Sequence, residues 1–179
     1  MSNNIKKYLL TSLTLGLIAG SGALLIAGTN MLTKDAIAKN EQKKIVNGLS
    51  SIFGYANLQI NNEAAISEST YQYVEYVYYV SGANSGSTYD GFAFRTTGSN
   101  MYGKISLIIG FDIAKQYLGL SIITNEQTYA STLVDNYINP LNNNERALED
   151  VSCGATYGAK LVRDMVNEAK EAANKATII

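Results

Sequence analysis

The pattern of apolar and polar positions divides the chain into one long uncharged run followed by short segments of differing period. Residues 8–33, YLLTSLTLGLIAGSGALLIAGTNMLT, form 26 consecutive uncharged positions between Lys7 and Lys34. Wound as a helix this run extends about 39 Å against a hydrocarbon core of roughly 30 Å, which predicts a transmembrane helix with some tilt. A cleaved signal peptide is the alternative, with Lys6 and Lys7 as its charged head and Ala36-Ile37-Ala38 as a small-x-small site. The run is longer than a usual signal core, and Ala36 lies beyond the charged pair Lys34 and Asp35, so a retained anchor is the stronger reading. No Cys follows the run to carry a lipoprotein anchor. Across residues 33–53, Ile45, Leu49, Ile52 and Phe53 recur at helical spacing and predict a stalk helix that docks on a domain and stops near Gly54.

The rest of the chain reads as one α+β domain. Segments 71–81, 92–97, 104–112 and 117–124 are rich in β-branched and aromatic residues and are separated by Gly-rich and polar turns, which predicts an antiparallel sheet. Both registers of the 71–80 segment are apolar or aromatic, so that strand is expected to be covered on both faces, its tyrosines serving as core and edge packing. Helices are predicted at 129–138, stopped by Pro140, and at 155–176, where Leu161, Val162, Met165, Val166 and Ala169 make one stripe. The layout is a cytoplasmic N-terminus 1–7, a membrane helix 8–33, a stalk 34–54 and a domain 55–179.

Charge on the two flanks of the membrane segment leaves its orientation open, because Lys6 and Lys7 are answered by Lys34, Lys39, Lys43 and Lys44. Gly16-x-x-x-Gly20, with Gly22, Ala23, Ala27 and Gly28, offers a small-residue face to another membrane helix or reflects the ordinary tolerance of glycine in such helices.

Composition narrows the chemistry. The 179 residues include no His, one Cys and one Pro, with 14 basic and 15 acidic side chains and a net charge of −1. Without imidazoles or several thiolates there is no ligand set for haem, an iron–sulfur cluster or structural zinc, and no metal site or catalytic residue is assigned. The lone Cys153 cannot form an internal disulfide. Redox work, if the chain does any, needs a carrier independent of such ligands, and a flavin leads that class. The charge balance gives no footprint for nucleic acid.

The segment with chemical promise is Asp150-Val-Ser-Cys-Gly-Ala-Thr156-Tyr-Gly-Ala-Lys160, which sets small and hydroxyl residues before the terminal helix. Such an entry presents unpaired N–H groups and the positive end of the helix dipole to an anion. It is equally a place for Ser152 or Thr156 to cap the helix.

Asp150-x-x-x-Gly154-Ala155-Thr156 resembles the flavinylation motif Asp-x-x-[Ser/Thr]-Gly-Ala-Thr of the FMN-binding domain family. That motif is found in the G subunit of the Rnf ion-translocating electron-transport complex, and a similar one occurs in the C subunit of the sodium-translocating NADH:quinone oxidoreductase. Lys160, Val162 and Val166-Asn167 fit the family's terminal helix, and Asn125-Glu126-x-Thr128 is similar to its Glu-Thr-Pro-Gly segment. Cys153 stands where Ser or Thr is usual, Gly158 where a hydroxyl residue is common, and Tyr129-Ala130 in place of Pro-Gly.

The resemblance implies FMN joined through its phosphate to the hydroxyl of Thr156 by a magnesium-dependent flavin transferase that uses FAD. It implies cofactor contacts from Ala155, Gly154, Cys153, Tyr157, Glu126, Thr128 and Lys160, and transferase recognition through Asp150, Gly154, Ala155 and Thr156. Arg95 and Lys160 are candidate phosphate cations, with structural roles as the alternative. The implied setting is the cell membrane, with the domain on the extracytoplasmic side, lipid around the anchor and other subunits of an Rnf-type ferredoxin:NAD oxidoreductase as partners. A stand-alone flavinylated relay and a structural or assembly subunit without flavin are the alternatives.

Overall fold

The computed structural model describes residues 3–65, 70–82 and 89–175, so the expected terminus of the last helix at Ala176 lies outside the described residues. Helix α1 runs Asn3–Phe53 without interruption. It ends where expected: Gly54 adopts φ +71° and its N–H donates to the Ser50 carbonyl at 2.9 Å, the left-handed stop that glycine makes without a Cβ penalty.

Two compact units share the chain, Met1–Gln42 and Lys43–Ile179. In the first, Leu10, Leu13, Leu15, Leu17 and Ile18 are between 62% and 69% exposed. The Thr11 and Ser21 hydroxyls donate back to the carbonyls of Lys7 and Ile18 at 2.9 Å, and Thr14 bonds likewise to Leu10. These polar groups are thereby satisfied within their own helix. Positions 9, 24–27 and 30–32 of the uncharged run have side chains outside the description, and over the described residues no helix is long and apolar enough to cross a membrane.

The second unit is α+β. Its strands are β1 (Leu58–Ala65), β2 (Val74–Gly82), β3 (Gly91–Asn100), β4 (Gly103–Asp112) and β5 (Tyr117–Asn125), antiparallel in the order β1-β2-β3-β4-β5. The four strands expected from sequence are β2 to β5. The first begins at Val74 rather than 71, because the Tyr73 and Val74 N–H groups both donate to the Glu168 carboxylate, at 2.6 and 3.0 Å. Strand β1 was not anticipated: the alternation of Leu58 and Ile60 stops at Asn61-Asn62-Glu63, and the segment is organised by pairing with β2.

Each face of the sheet carries a core. On one, Val77, Phe92, Phe94, Leu107, Ile109 and Phe111 meet Leu161, Val162, Met165, Val166 and Ala169 of helix α4 (Thr156–Lys175), whose predicted apolar stripe is fully buried. On the other, Tyr78, Val80, Ala93, Ile108 and Ile123 meet Ile45 and Leu49 from the end of α1. Strand β2 therefore feeds both cores, and its tyrosines pack as the sequence indicated. The outer edge of β5 is closed by side chains: Asn142 pairs with both the N–H and the carbonyl of Leu120, at 3.0 and 2.8 Å, and Lys44 donates to the Ile123 carbonyl at 3.0 Å.

Between β5 and α4 the backbone passes through α2 (Ala130–Leu133), a wide π turn (Val134–Ile138) and α3 (Asn139–Asn142). Pro140 does not stop the helix at 138 as expected. Its missing N–H and its ring conflict with the carbonyl four residues back, Asn136, and the wide turn sits at that residue, so helical backbone continues through the proline.

Candidate functional site

The segment leading into α4 is tied down by residues that the motif does not include. Arg146 Nη1 donates to the carbonyls of Asp150 and Ser152, at 2.9 and 3.3 Å, and pairs with Asp150 Oδ2 at 3.3 Å, which closes the 146–152 stretch into a clamp. Tyr137 donates from its hydroxyl to the Leu148 carbonyl, and Asn136 Nδ2 donates to the Cys153 carbonyl at 3.2 Å. Burial raises the Tyr137 phenol well above its ordinary pKa, the nearby Glu149 adding to the rise and Arg163 opposing it. Gly154 then turns the chain with φ +83°, a left-handed conformation that explains glycine at this motif position, and α4 starts two residues later at Thr156.

Thr156 is thus the first residue of the helix and does not precede it. Among the described residues its hydroxyl makes no capping hydrogen bond, and Ser152, which is exposed, lies too far upstream to cap α4. The first N–H groups of α4 lack intrahelical acceptors by the geometry of any helix start. A cleft of about 260 Å³ is lined by Gly154, Ala155, Thr156, Tyr157 and Gly158 from the motif and by Tyr102, Gln127, Tyr129 and Leu133 from elsewhere. No charged side chain lines it, so nothing in the wall repels an anion.

The opposite wall is built from two connections. The hairpin between β3 and β4 closes at the pair Asn100 and Gly103 and presents Tyr102. Asn100 joins three segments: its Oδ1 accepts from the Tyr102 N–H at 2.8 Å and from Gln127 Nε2 at 3.0 Å, while its Nδ2 donates to the Tyr157 carbonyl at 3.2 Å. Gln127 Nε2 also donates to the Gly103 carbonyl, which can only accept, so the amide is oriented with Oε1 toward Gly158. A Cβ at Gly158, where a hydroxyl residue is common in the resembled family, would sit 3.0 Å from Leu133 Cδ2 and 3.3 Å from Gln127 Oε1, so those side chains would have to give way to it. Tyr102 holds the centre of an aromatic group, with ring centroids 5.5 Å from Tyr157 and 6.2 Å from Tyr129.

Of the residues implied as cofactor contacts, the cleft brings together Gly154, Ala155, Thr156 and Tyr157. Cys153 is buried in the core on the α4 side of the sheet and does not line the cleft. Glu126 and Thr128 are exposed, and the residue between them, Gln127, faces the cleft. Lys160 is exposed, with its ammonium 5.7 Å from the Tyr157 ring centroid, and Arg95 pairs with Glu75 at 3.3 Å on the sheet, so neither lines the cleft as a phosphate cation. Asp150 is exposed and held by Arg146, available to an external protein. Tyr102, Gln127, Leu133 and Arg146 were not anticipated; Gly103 after an aromatic residue in a short hairpin was the available signal for Tyr102.

Fold and cleft together define a small α+β domain in which helix α4 starts at a cleft lined by Thr156 and three tyrosines, Tyr102, Tyr129 and Tyr157. Residues 1–52 match the family model described as the RnfG N-terminal region, and over that stretch the chain resembles the G subunit of the Rnf complex. The matched stretch covers α1 to its penultimate residue; the cleft lies beyond it. No curated protein matches the chain significantly.

Proposed function

We propose that this chain is the membrane-anchored flavoprotein subunit of an Rnf-type electron-transport complex and carries FMN as a phosphoester on Thr156. The observation that carries the reading is the position of Thr156: it lines an uncharged cleft at the start of a 20-residue helix, and its hydroxyl makes no hydrogen bond among the described residues. The likeness of residues 1–52 to the RnfG N-terminal region supports the complex, and the uncharged run with its internally bonded hydroxyls supports a membrane anchor. The domain is assigned to the extracytoplasmic side, where no flavin pool replaces a lost cofactor and a covalent link secures retention.

In the attachment step, catalysed by a flavin transferase, Thr156 Oγ1 attacks the phosphorus on the riboflavin side of FAD. The P–O bond of the pyrophosphate breaks, AMP leaves and the hydroxyl proton is lost, so the protein gains FMN less water. The N–H groups at the start of α4 favour the single negative charge of the resulting phosphodiester, by roughly 0.3–1 kcal/mol at an exposed helix end. Arg146 presents the 150–152 turn, and Asp150 with it, to the transferase. The flavin, when bound, supplies one- and two-electron transfer, while the protein orients it between donor and acceptor.

The test is intact mass and in-gel flavin fluorescence of the denatured chain after coexpression with a flavin transferase, wild type beside Thr156→Val. A gain of FMN less water in the wild type alone is the expected result. An unmodified wild type would refute the flavoprotein reading and favour a structural subunit.

A further inference from the structure

We propose that Tyr102, Tyr129 and Tyr157, with Gln127, form the seat of the flavin ring system, a binding site specific to this chain's own residues that rests on the flavin reading above. The argument begins with size. A cleft of about 260 Å³ is smaller than the roughly 300–1,000 Å³ pockets that enclose whole small-molecule ligands, so it admits only part of a mononucleotide. With the phosphate fixed at Thr156, the ring system lies at the mouth.

That mouth is aromatic. Tyr129 and Tyr157 are 55% and 59% exposed, unlike the buried Tyr78 and Tyr137 of the cores. The two flank Tyr102, and the rings are tilted at 55° and 35° to it instead of stacked in parallel. Their faces are therefore not consumed by one another and are open to a planar guest. The platform is held in place before any ligand arrives. Asn100 bonds to the backbone of both Tyr102 and Tyr157, and the Tyr102 carbonyl accepts the Thr128 N–H at 2.9 Å, next to Tyr129. Gln127, only 7% exposed, has both donors of its amide engaged, and its oriented Oε1 accepts no hydrogen bond among the described residues. It is an acceptor for a hydroxyl or imide N–H of the ligand inside the cleft.

The experiment uses the full chain coexpressed with a flavin transferase, wild type beside Tyr129→Leu and Tyr157→Leu, both exposed positions where folding is retained. Intact mass is read first, then flavin emission of the native protein against the same sample unfolded in guanidinium. A phenol in van der Waals contact quenches flavin emission. Per covalently bound flavin, as counted by intact mass, native emission quenched in the wild type and recovered toward the unfolded value in either variant is expected. Native emission equal to unfolded emission, or quenching untouched by both substitutions, would overturn the seat while leaving attachment intact. If the wild type carries no covalent flavin, free FMN is titrated onto it. Quenching whose dissociation constant weakens roughly two- to tenfold in Tyr129→Leu would keep the ring seat and sink only the attachment. Absence of quenching would sink both.

Discussion

The two long helices differ in where their apolar surface goes. Helix α4 buries nine of its 20 residues, and its stripe from Leu161 to Ala173 is completed by the sheet of its own chain. Helix α1 has 51 residues; its end supplies Ile45 and Leu49 to a core, whereas its leucines between positions 10 and 17 remain more than 60% exposed. An amphipathic helix states its partner in its own periodicity. Helix α4 is of that kind and forms a wall of the domain, whereas the leucines at positions 10–17 of α1 are left uncovered by the described residues. The site sits on the completed helix. Its first residues line the same cleft as Tyr102 and Gln127.

That contrast breaks most visibly if a charge is placed on the buried stripe. Met165→Asp puts an unpaired carboxylate at a position with no exposure, and loss of the cooperative thermal transition of the second unit, followed by circular dichroism in detergent, is the expected outcome. A retained transition would mean that α4 is not part of the core. Next in size is a pair on α1. Leu49→Ala should destabilise the domain by about 2–5 kcal/mol, whereas Leu13→Ala should leave it within about 0.5 kcal/mol, measured by urea unfolding of the Tyr signal. Equal effects would erase the division of α1 into an unburied and a buried part.

Smaller again, Glu168→Ala leaves the Tyr73 and Val74 N–H groups without their acceptor and should cost about 1–3 kcal/mol, with faster amide exchange at the start of β2. Unchanged exchange there would show that the carboxylate is not what starts the strand. The smallest effect at neutral pH concerns the buried phenols. Burial holds Tyr117 and Tyr137 above the ordinary tyrosine pKa, so the unfolded chain loses these protons first. Their contribution is fully present below about pH 10 and is lost as pH rises toward the folded pKa values. Tyr137→Phe should cost about 1 kcal/mol at pH 7 through the lost bond to Leu148 and flatten the alkaline fall. An unaltered alkaline slope would reject the assignment.

Much of the fold was legible because periodicity records burial. The stripe on α4, the doubly covered β2 and the stop at Gly54 all follow from patterns that one face or one turn imposes. Strand β1 was not legible, because its alternation is broken by Asn61-Asn62-Glu63 and an edge strand is shaped largely by pairing with its neighbour. Pro140 misled because its effect depends on whether the preceding turn can widen, a property of Val134–Ile138 and not of proline. At the site, the motif located one wall of the cleft. The facing wall comes from a loop and a hairpin whose Gln127 and Tyr102 lie 29 and 54 positions before Thr156, brought there by strand pairing and by the bonds of Gln127 to Asn100 and Gly103. Tyr129, which looked like a departure from the family pattern, stands at the cleft mouth.

The closed edge of β5 has a consequence for the timing of synthesis. The strand is complete at Asn125, but the Asn142 amide that pairs with Leu120 follows about 17 residues later. At typical elongation rates that interval is roughly 1–3 s. During that interval the strand edge lacks its Asn142 cover, and among the described residues Lys44, made long before, is the side chain already present to meet it. A chain released just after residue 125 would keep that edge open to another copy of itself, whereas one released beyond Asn142 would not.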